Sequence, residues 1–240
     1  MSAKVEYLQE RIMDQIGRLT AQNKPMTITG TYKGILLTHP IRVLNILPDR
    51  VIFQAPGSLL CLTLREKVHL YSNALPETVT ARLLELNMIV GEIALSDFTF
   101  SGLSWKERLC DRIQPRDPIG VDFYSQKTTV RGHMENISTI GMRLLISRKK
   151  DKGVCTDYGA PVRLAFRLPG DSLQINLKGK ITYSRQVRDS MIIGIHFLPN
   201  PSQEKRLTQY ILASKAEILD ELELEFQKML APRQIQDLYF

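Results

Sequence analysis

The chain has only three cysteines, Cys61, Cys110 and Cys155, and no two of them form a C-x-x-C pair. So odd and widely spaced a set argues against both a disulfide framework and a cysteine-based zinc site, and buried or incidental thiols are expected. Histidine is nearly as scarce: His39, His69, His133 and His196 make no H-x-x-x-H, and neither a G-x-S-x-G nor a P-loop occurs. With no nucleophile flanked by an evident base, neither catalysis nor a metal or other cofactor is expected. No apolar run reaches the roughly 18 residues a membrane helix needs. The first ten residues, M-S-A-K-V-E-Y-L-Q-E, lack the apolar core of a signal peptide, so the cytoplasm is the expected compartment.

What is present fits a globular protein. Hydrophobic residues make up 43% of the 240 positions and charged residues 24%, enough for two domains with a core each. A net charge of +7 favours anionic partners. The densest basic cluster, Arg148 to Lys152 before Gly153, reads as a solvated hairpin loop or as a phosphate-binding patch. A nucleic-acid-binding small barrel is the rival reading this charge supports, with a steep salt dependence as its mark. Against it, Phe and Tyr are spread along the strands at core-like alternation rather than clustered for base stacking, so nucleic acid is not the expected partner.

Periodicity then orders the chain. Val5, Leu8, Ile12, Ile16 and Leu19 make one stripe of an amphipathic helix over residues 4–22, stopped by Pro25. The stripe suits docking on the next domain or an oligomer seam. From 26 to about 100 the chain breaks into short strand-like runs: Thr27–Thr31, Ile41–Ile46, Arg50–Ala55, Leu59–Leu64, Glu66–Tyr71, Thr78–Leu86 and Met88–Leu95. A second set follows at Pro118–Tyr124, Thr128–Asn136, Gly141–Ser147, Pro161–Leu168, Leu173–Gln186 and Ser190–Leu198. Six such strands suit a small barrel. From Pro201, the apolar residues Leu207, Ile211, Ile218, Leu222, Phe226 and Leu230 recur at helical spacing. That helix is longer than one barrel needs, so part of it is offered to a partner or a second copy.

The expected class is therefore mainly β: two small β-barrel domains with an N-terminal helix and a long C-terminal helix. The expected divisions are 1–24 for the first helix, 25–100 for the first barrel, 101–117 for a linker, 118–200 for the second barrel and 201–240 for the C-terminal helix and tail. Val43–Phe53 echoes Met134–Leu144, which suggests that the first barrel is a degenerate copy of the second. With Asn45 set on Asn136, Leu47 stands in place of Ser138 and Arg50 in place of Gly141.

The stretch from Arg108 to Gly141 carries the chemistry. Arg108 and Arg112 lie four apart on the linker, and each presents a planar fork of donors suited to phosphate oxygens or the O6/N7 edge of guanine. Farther on, Asn136 and Ser138 lie two apart, on one face if that segment is a strand. Gly141 is free to take a positive φ or to let a ligand approach the backbone.

Arg108 and Arg112 followed by Asn136, Ser138 and Gly141 resemble the signature of the PilZ family, R-x-x-x-R and then [D/N]-x-S-x-x-G. The likeness extends over about residues 104–200. It implies a non-enzymatic receptor for cyclic di-GMP, with the arginines on phosphates and guanine Hoogsteen edges and Asn136 and Ser138 on another polar edge of a guanine. It also implies a two-domain layout, a linker that folds over the ligand and reorients the domains, and an output in motility, adhesion or biofilm control of a bacterium. Arg116 and Trp105 are accessory candidates. Glu107 stands where many relatives are basic, which puts binding of a ligand dimer in doubt. Asn136 in place of Asp removes a charge-assisted acceptor for guanine N–H groups. A degenerate family member acting only through protein contacts is the other alternative, and the downstream protein partner is not named by the sequence.

Overall fold

The computed structural model describes residues 3–55, 68–102, 111–125, 128–147 and 157–230. The chain divides into two compact units, the first of Met1–Tyr32, Leu36–Arg108 and Ile218–Phe240, the second of Lys33–Ile35 and Leu109–Glu217. The expected strand Leu59–Leu64 and the basic cluster Arg148–Lys152 lie outside the described residues.

The first unit opens with α1 (Ala3–Ala21). It ends because Asn23 takes a left-handed φ of 52°, and the N–H groups of Lys24 and Asn23 then close back on Leu19 O and Thr20 O at 2.9 and 3.0 Å. This is a Schellman stop in which Asn replaces the usual Gly, with Pro25 just beyond it. Six strands follow: β1 (Met26–Tyr32), β2 (Ile35–Ile46), β3 (Val51–Gln54), β4 (Val68–Tyr71), β5 (Val79–Asn87) and β6 (Glu92–Phe100). They close into a barrel in the order β1-β2-β3-β6-β5-β4. Phe53, Phe98, Leu70 and Leu95 fill it, and Ile12, Met13, Ile16 and Leu19 of α1 are buried with the same core. Each such side chain contributes about 1.5–3 kcal/mol relative to exposure. The helix stripe that suits an oligomer seam is thus covered by the chain's own barrel.

Among the strand boundaries that differ from the sequence reading, two have a clear physical reason. β2 begins at Ile35 and runs through Pro40, a tolerated proline because the β2–β3 ladder starts only at Arg42. β6 begins at Glu92 rather than Met88. The apolar Ile89 and Val90 sit at a hairpin tip, Ile89 87% exposed, where the Asn87 side-chain carbonyl accepts both their N–H groups.

The C-terminal helix α2 (Pro201–Leu230) enters the first unit from Ile218 onward, and Phe226 and Leu230 join the first core. On that stretch Glu221 accepts a hydrogen bond from the Tyr32 hydroxyl at 3.4 Å. Desolvation, and then the charges of Glu221 and Glu225, push the Tyr32 phenol up to about 12. The folded state therefore favours the neutral phenol. Its contribution is complete below the ordinary tyrosine value near 10 and is lost as pH rises through about 12. Urea midpoints of the wild type are expected to fall relative to those of Tyr32→Phe across that window and to run parallel with them below it.

The second unit holds β7 (Gly120–Ser125), β8 (Thr128–Ile137), β9 (Gly141–Ser147), β10 (Pro161–Phe166), β11 (Ile175–Val187) and β12 (Ser190–Phe197). These close as β10-β11-β12-β9-β8-β7. Read from β7, that is the order of the first barrel strand for strand. Inward-facing residues alternate as the pattern predicts: Val121 and Phe123 are fully buried, and Leu144, Ile146, Ile175 and Ile193 meet them in one core. α2 starts here, with Pro201 as its first residue. Asn200 and Gln203 exchange side-chain-to-backbone bonds of 2.9 and 3.0 Å in a reciprocal cap, and Leu207 joins the core.

The register repeats as well as the order. β2 bulges between Val43 and Asn45, and β8 between Met134 and Asn136. β5 bulges between Leu83 and Glu85, and β11 between Ile181 and Tyr183. Both pairs fall at equivalent positions once Asn45 is set on Asn136.

Candidate functional site

The segment carrying Arg112 is fixed by an antiparallel bridge between Ile113 and Ile137, with N–H···O distances of 2.8 and 2.9 Å in the two directions. Ile113 is fully buried, so Arg112 and Gln114 on either side of it turn outward, and both are exposed. Antiparallel register places Gln114 opposite Asn136 and Arg112 opposite Ser138. Residues 33–35, which belong to this same unit, hold the segment a second time. The Gln114 N–H donates to Lys33 O at 2.9 Å, and Gly34 approaches so closely, at φ +88°, that a Cβ would stand 2.7 Å from Arg112 O.

The Arg112 guanidinium is left available. Its neighbour Asp111, the nearest acid in sequence, is ion-paired at 2.6 Å with Lys215 of α2, and Arg112 has no partner among the described residues. Arg116 is likewise exposed. Arg108, Glu107 and Trp105 lie outside the described residues.

The second arm is built by the β8 bulge. An extra residue before Asn136 turns both Glu135 and Asn136 outward between the buried Met134 and Ile137. The Asn136 carboxamide makes no hydrogen bond among the described residues. Ser138 differs from the simple strand expectation. β8 ends at Ile137, the chain turns, and Ser138 is only 3% exposed. Its N–H and its hydroxyl both donate to Gly141 O, at 2.8 and 3.1 Å. Gly141 has no positive φ; it is required because β12 passes so close that a Cβ would stand 2.7 Å from Ile195 O. Ser138 and Gly141 shape the turn, and Asn136 is the polar group it presents.

Cross-strand register adds residues the sequence reading did not single out. Asn136 pairs with Arg143, Arg143 with Gly194, and Gly194 with Tyr183, a single row over β8, β9, β12 and β11. Arg143 Nε donates to the Tyr183 hydroxyl at 2.8 Å, and Nη1 lies 3.4 Å from Glu135 Oε1. Burial works against the Arg143 charge, but the Tyr183 hydrogen bond and Glu135 outweigh it and the guanidinium pKa is raised. Alternation does mark Arg143 as outward, between buried Met142 and Leu144; nothing in the sequence links it to Tyr183.

The equivalent row of the first barrel is Asn45, Ile52, Ala94 and Glu85. There Arg50, standing at the Gly141 position, is ion-paired with Glu85 at 2.7 Å and Asp49 at 2.9 Å. That guanidinium is already neutralised. In the second unit a separate hollow of about 510 Å³ is bordered by Asp117, Gly120, Asp122, Arg131, Phe166 and Arg167 among others, and by none of the four described motif residues.

Residues 107–213 match the model of the PilZ domain. No curated protein sequence matches the chain. Among solved structures, the Bacillus subtilis inhibitor of motility MotI is similar at 14% identity and a TM-score of 0.43, over 81% of this chain and 96% of that one. K. pneumonia MrkH in its c-di-GMP complex is similar at 11% identity and 0.43, over 89% and 96%. Escherichia coli YcgR in complex with c-di-GMP is similar at 14% identity and 0.41, over 88% and 92%. Over residues 107–213, a little under half of its length, the chain is similar to the PilZ domain.

Proposed function

We propose that this protein is a non-enzymatic receptor for cyclic di-GMP, the ligand lying on the outer face of the second barrel between the Arg108–Arg112 arm and the Asn136–Gly141 arm. One observation carries the reading: Ile113 pairing with Ile137 brings an exposed Arg112 beside a half-buried Asn136, neither side chain having a partner among the described residues. A bis-guanine diphosphate offers anionic oxygens to the first and amide-like base edges to the second. The family match over residues 107–213 supports the same ligand.

On this reading the arginine arm closes over the ligand by moving residues before Ile113, since that residue is already bonded on both sides of its backbone. The first barrel binds no nucleotide of its own, because its equivalent row offers Ile52 and Ala94 and pairs its arginine internally. Its part is to pass the change on, in the cytoplasm, to a protein that controls motility, adhesion or biofilm formation. Isothermal titration of the full chain with cyclic di-GMP tests the reading. Saturable binding in the low micromolar range or tighter is expected, and the stoichiometry reports whether Glu107 excludes a ligand dimer. Absence of heat and of competition at high micromolar ligand would overturn it.

A further inference from the structure

We propose that Arg143 is a third guanidinium of this site, reading the acceptor edge of a guanine, and that Glu135 is its built-in competitor. The inference rests on the reading of this face as the cyclic di-GMP site. Arg143 lies in register with Asn136 on the neighbouring strand, so a base that meets one meets the other.

The side chain is placed rather than loose. Its Nε is held by the Tyr183 hydroxyl at 2.8 Å, and the Tyr183 ring is held in turn by lying flat across Gly194, where any Cβ would collide with it. Two of the five N–H donors of the guanidinium are engaged in this way. The Nη2 donors have no partner among the described residues. The O6/N7 edge of guanine presents two acceptors at the spacing of such a fork, and adenine presents a donor in place of O6.

Glu135 holds Arg143 poorly. Its Oε1 reaches Nη1 only at 3.4 Å, and its Oε2 is shielded from solvent with no hydrogen-bond partner among the described residues. A carboxylate left half-satisfied is a costly partner to keep. It still offsets part of the charge of Arg143, so it competes with a ligand for the guanidinium. The same bulge that presents Asn136 therefore presents a brake beside it.

The test is titration of the full-length protein and its variants with cyclic di-GMP, and with cyclic di-AMP as the probe with the same sugar-phosphate ring. Arg143→Met is expected to weaken cyclic di-GMP binding about tenfold and to narrow the preference over cyclic di-AMP. Tyr183→Phe keeps the ring over Gly194 but removes the acceptor, and is expected to weaken binding a few-fold with an unchanged unfolding midpoint. Glu135→Gln is expected to act in the opposite direction and tighten binding, a result that misfolding does not produce. Wild-type affinity in Arg143→Met, or weaker binding in Glu135→Gln, would overturn the inference. If Arg112→Ala then still weakened binding about tenfold or more, the receptor reading would stand without it; if the wild-type chain bound neither dinucleotide, both would fall.

Discussion

Replacing Arg112 by alanine is expected to weaken cyclic di-GMP binding about tenfold or more while leaving the urea midpoint of the protein unchanged. A good bidentate arginine contact is worth about 1–3 kcal/mol, and about 1.4 kcal/mol is a factor of ten in affinity. The upper limit on the stability loss comes from what Arg112 does not do. It is exposed, it has no partner among the described residues, and its acidic neighbour Asp111 is bonded elsewhere, to Lys215 at 2.6 Å. Truncating such a surface side chain typically moves stability by no more than about 0.5 kcal/mol. Arg112→Lys keeps the charge and loses the planar fork, so it is expected to recover only part of the affinity. Titration and urea denaturation on the same samples separate the two quantities. A fall in midpoint that accounted for the loss of binding would turn Arg112 into a structural residue.

The parts of this fold legible in the sequence are those fixed by local period. Val121 and Phe123 against Asp122 and Tyr124 specify which face of β7 is inward, and Ile12, Ile16 and Leu19 specify the buried face of α1. Setting Asn45 on Asn136 also brings the bulges of β2 and β8 into coincidence. Where the reading slipped, a local polar group overrode the pattern. Ile89 and Val90 look like strand, but the Asn87 side chain bonds their N–H groups and makes them a turn.

At the site, the residue types of the motif were legible and their division of labour was not. That Ser138 faces the turn depends on where β8 ends, and that Asp111 releases Arg112 depends on Lys215, more than a hundred residues away in the chain. The Arg143 row depends on three cross-strand registers at once. Sequence spacing carries none of these long-range pairings.

Gly141 illustrates how a residue of a binding signature can act through the fold. Gly141→Ala is expected to destabilise the second unit by about 1–3 kcal/mol, the usual cost of forcing extra volume into a packed position. The added methyl would lie 2.7 Å from Ile195 O, a backbone atom that cannot rotate away. Relief requires β9 and β12 to separate where Gly141 pairs with His196, and where the Phe197 N–H donates to Ile140 O at 2.9 Å. The Ser138–Gly141 turn moves with them, and Asn136 with the turn, so affinity for cyclic di-GMP is expected to fall together with the urea midpoint. Asn136→Ala is the contrasting variant, since its half-buried carboxamide has no partner to lose among the described residues; it is expected to lower affinity at constant midpoint. If Gly141→Ala instead kept its midpoint and lost only the ligand, the glycine would be needed for close approach of the nucleotide, and the β9–β12 contact would have enough slack to absorb a methyl group.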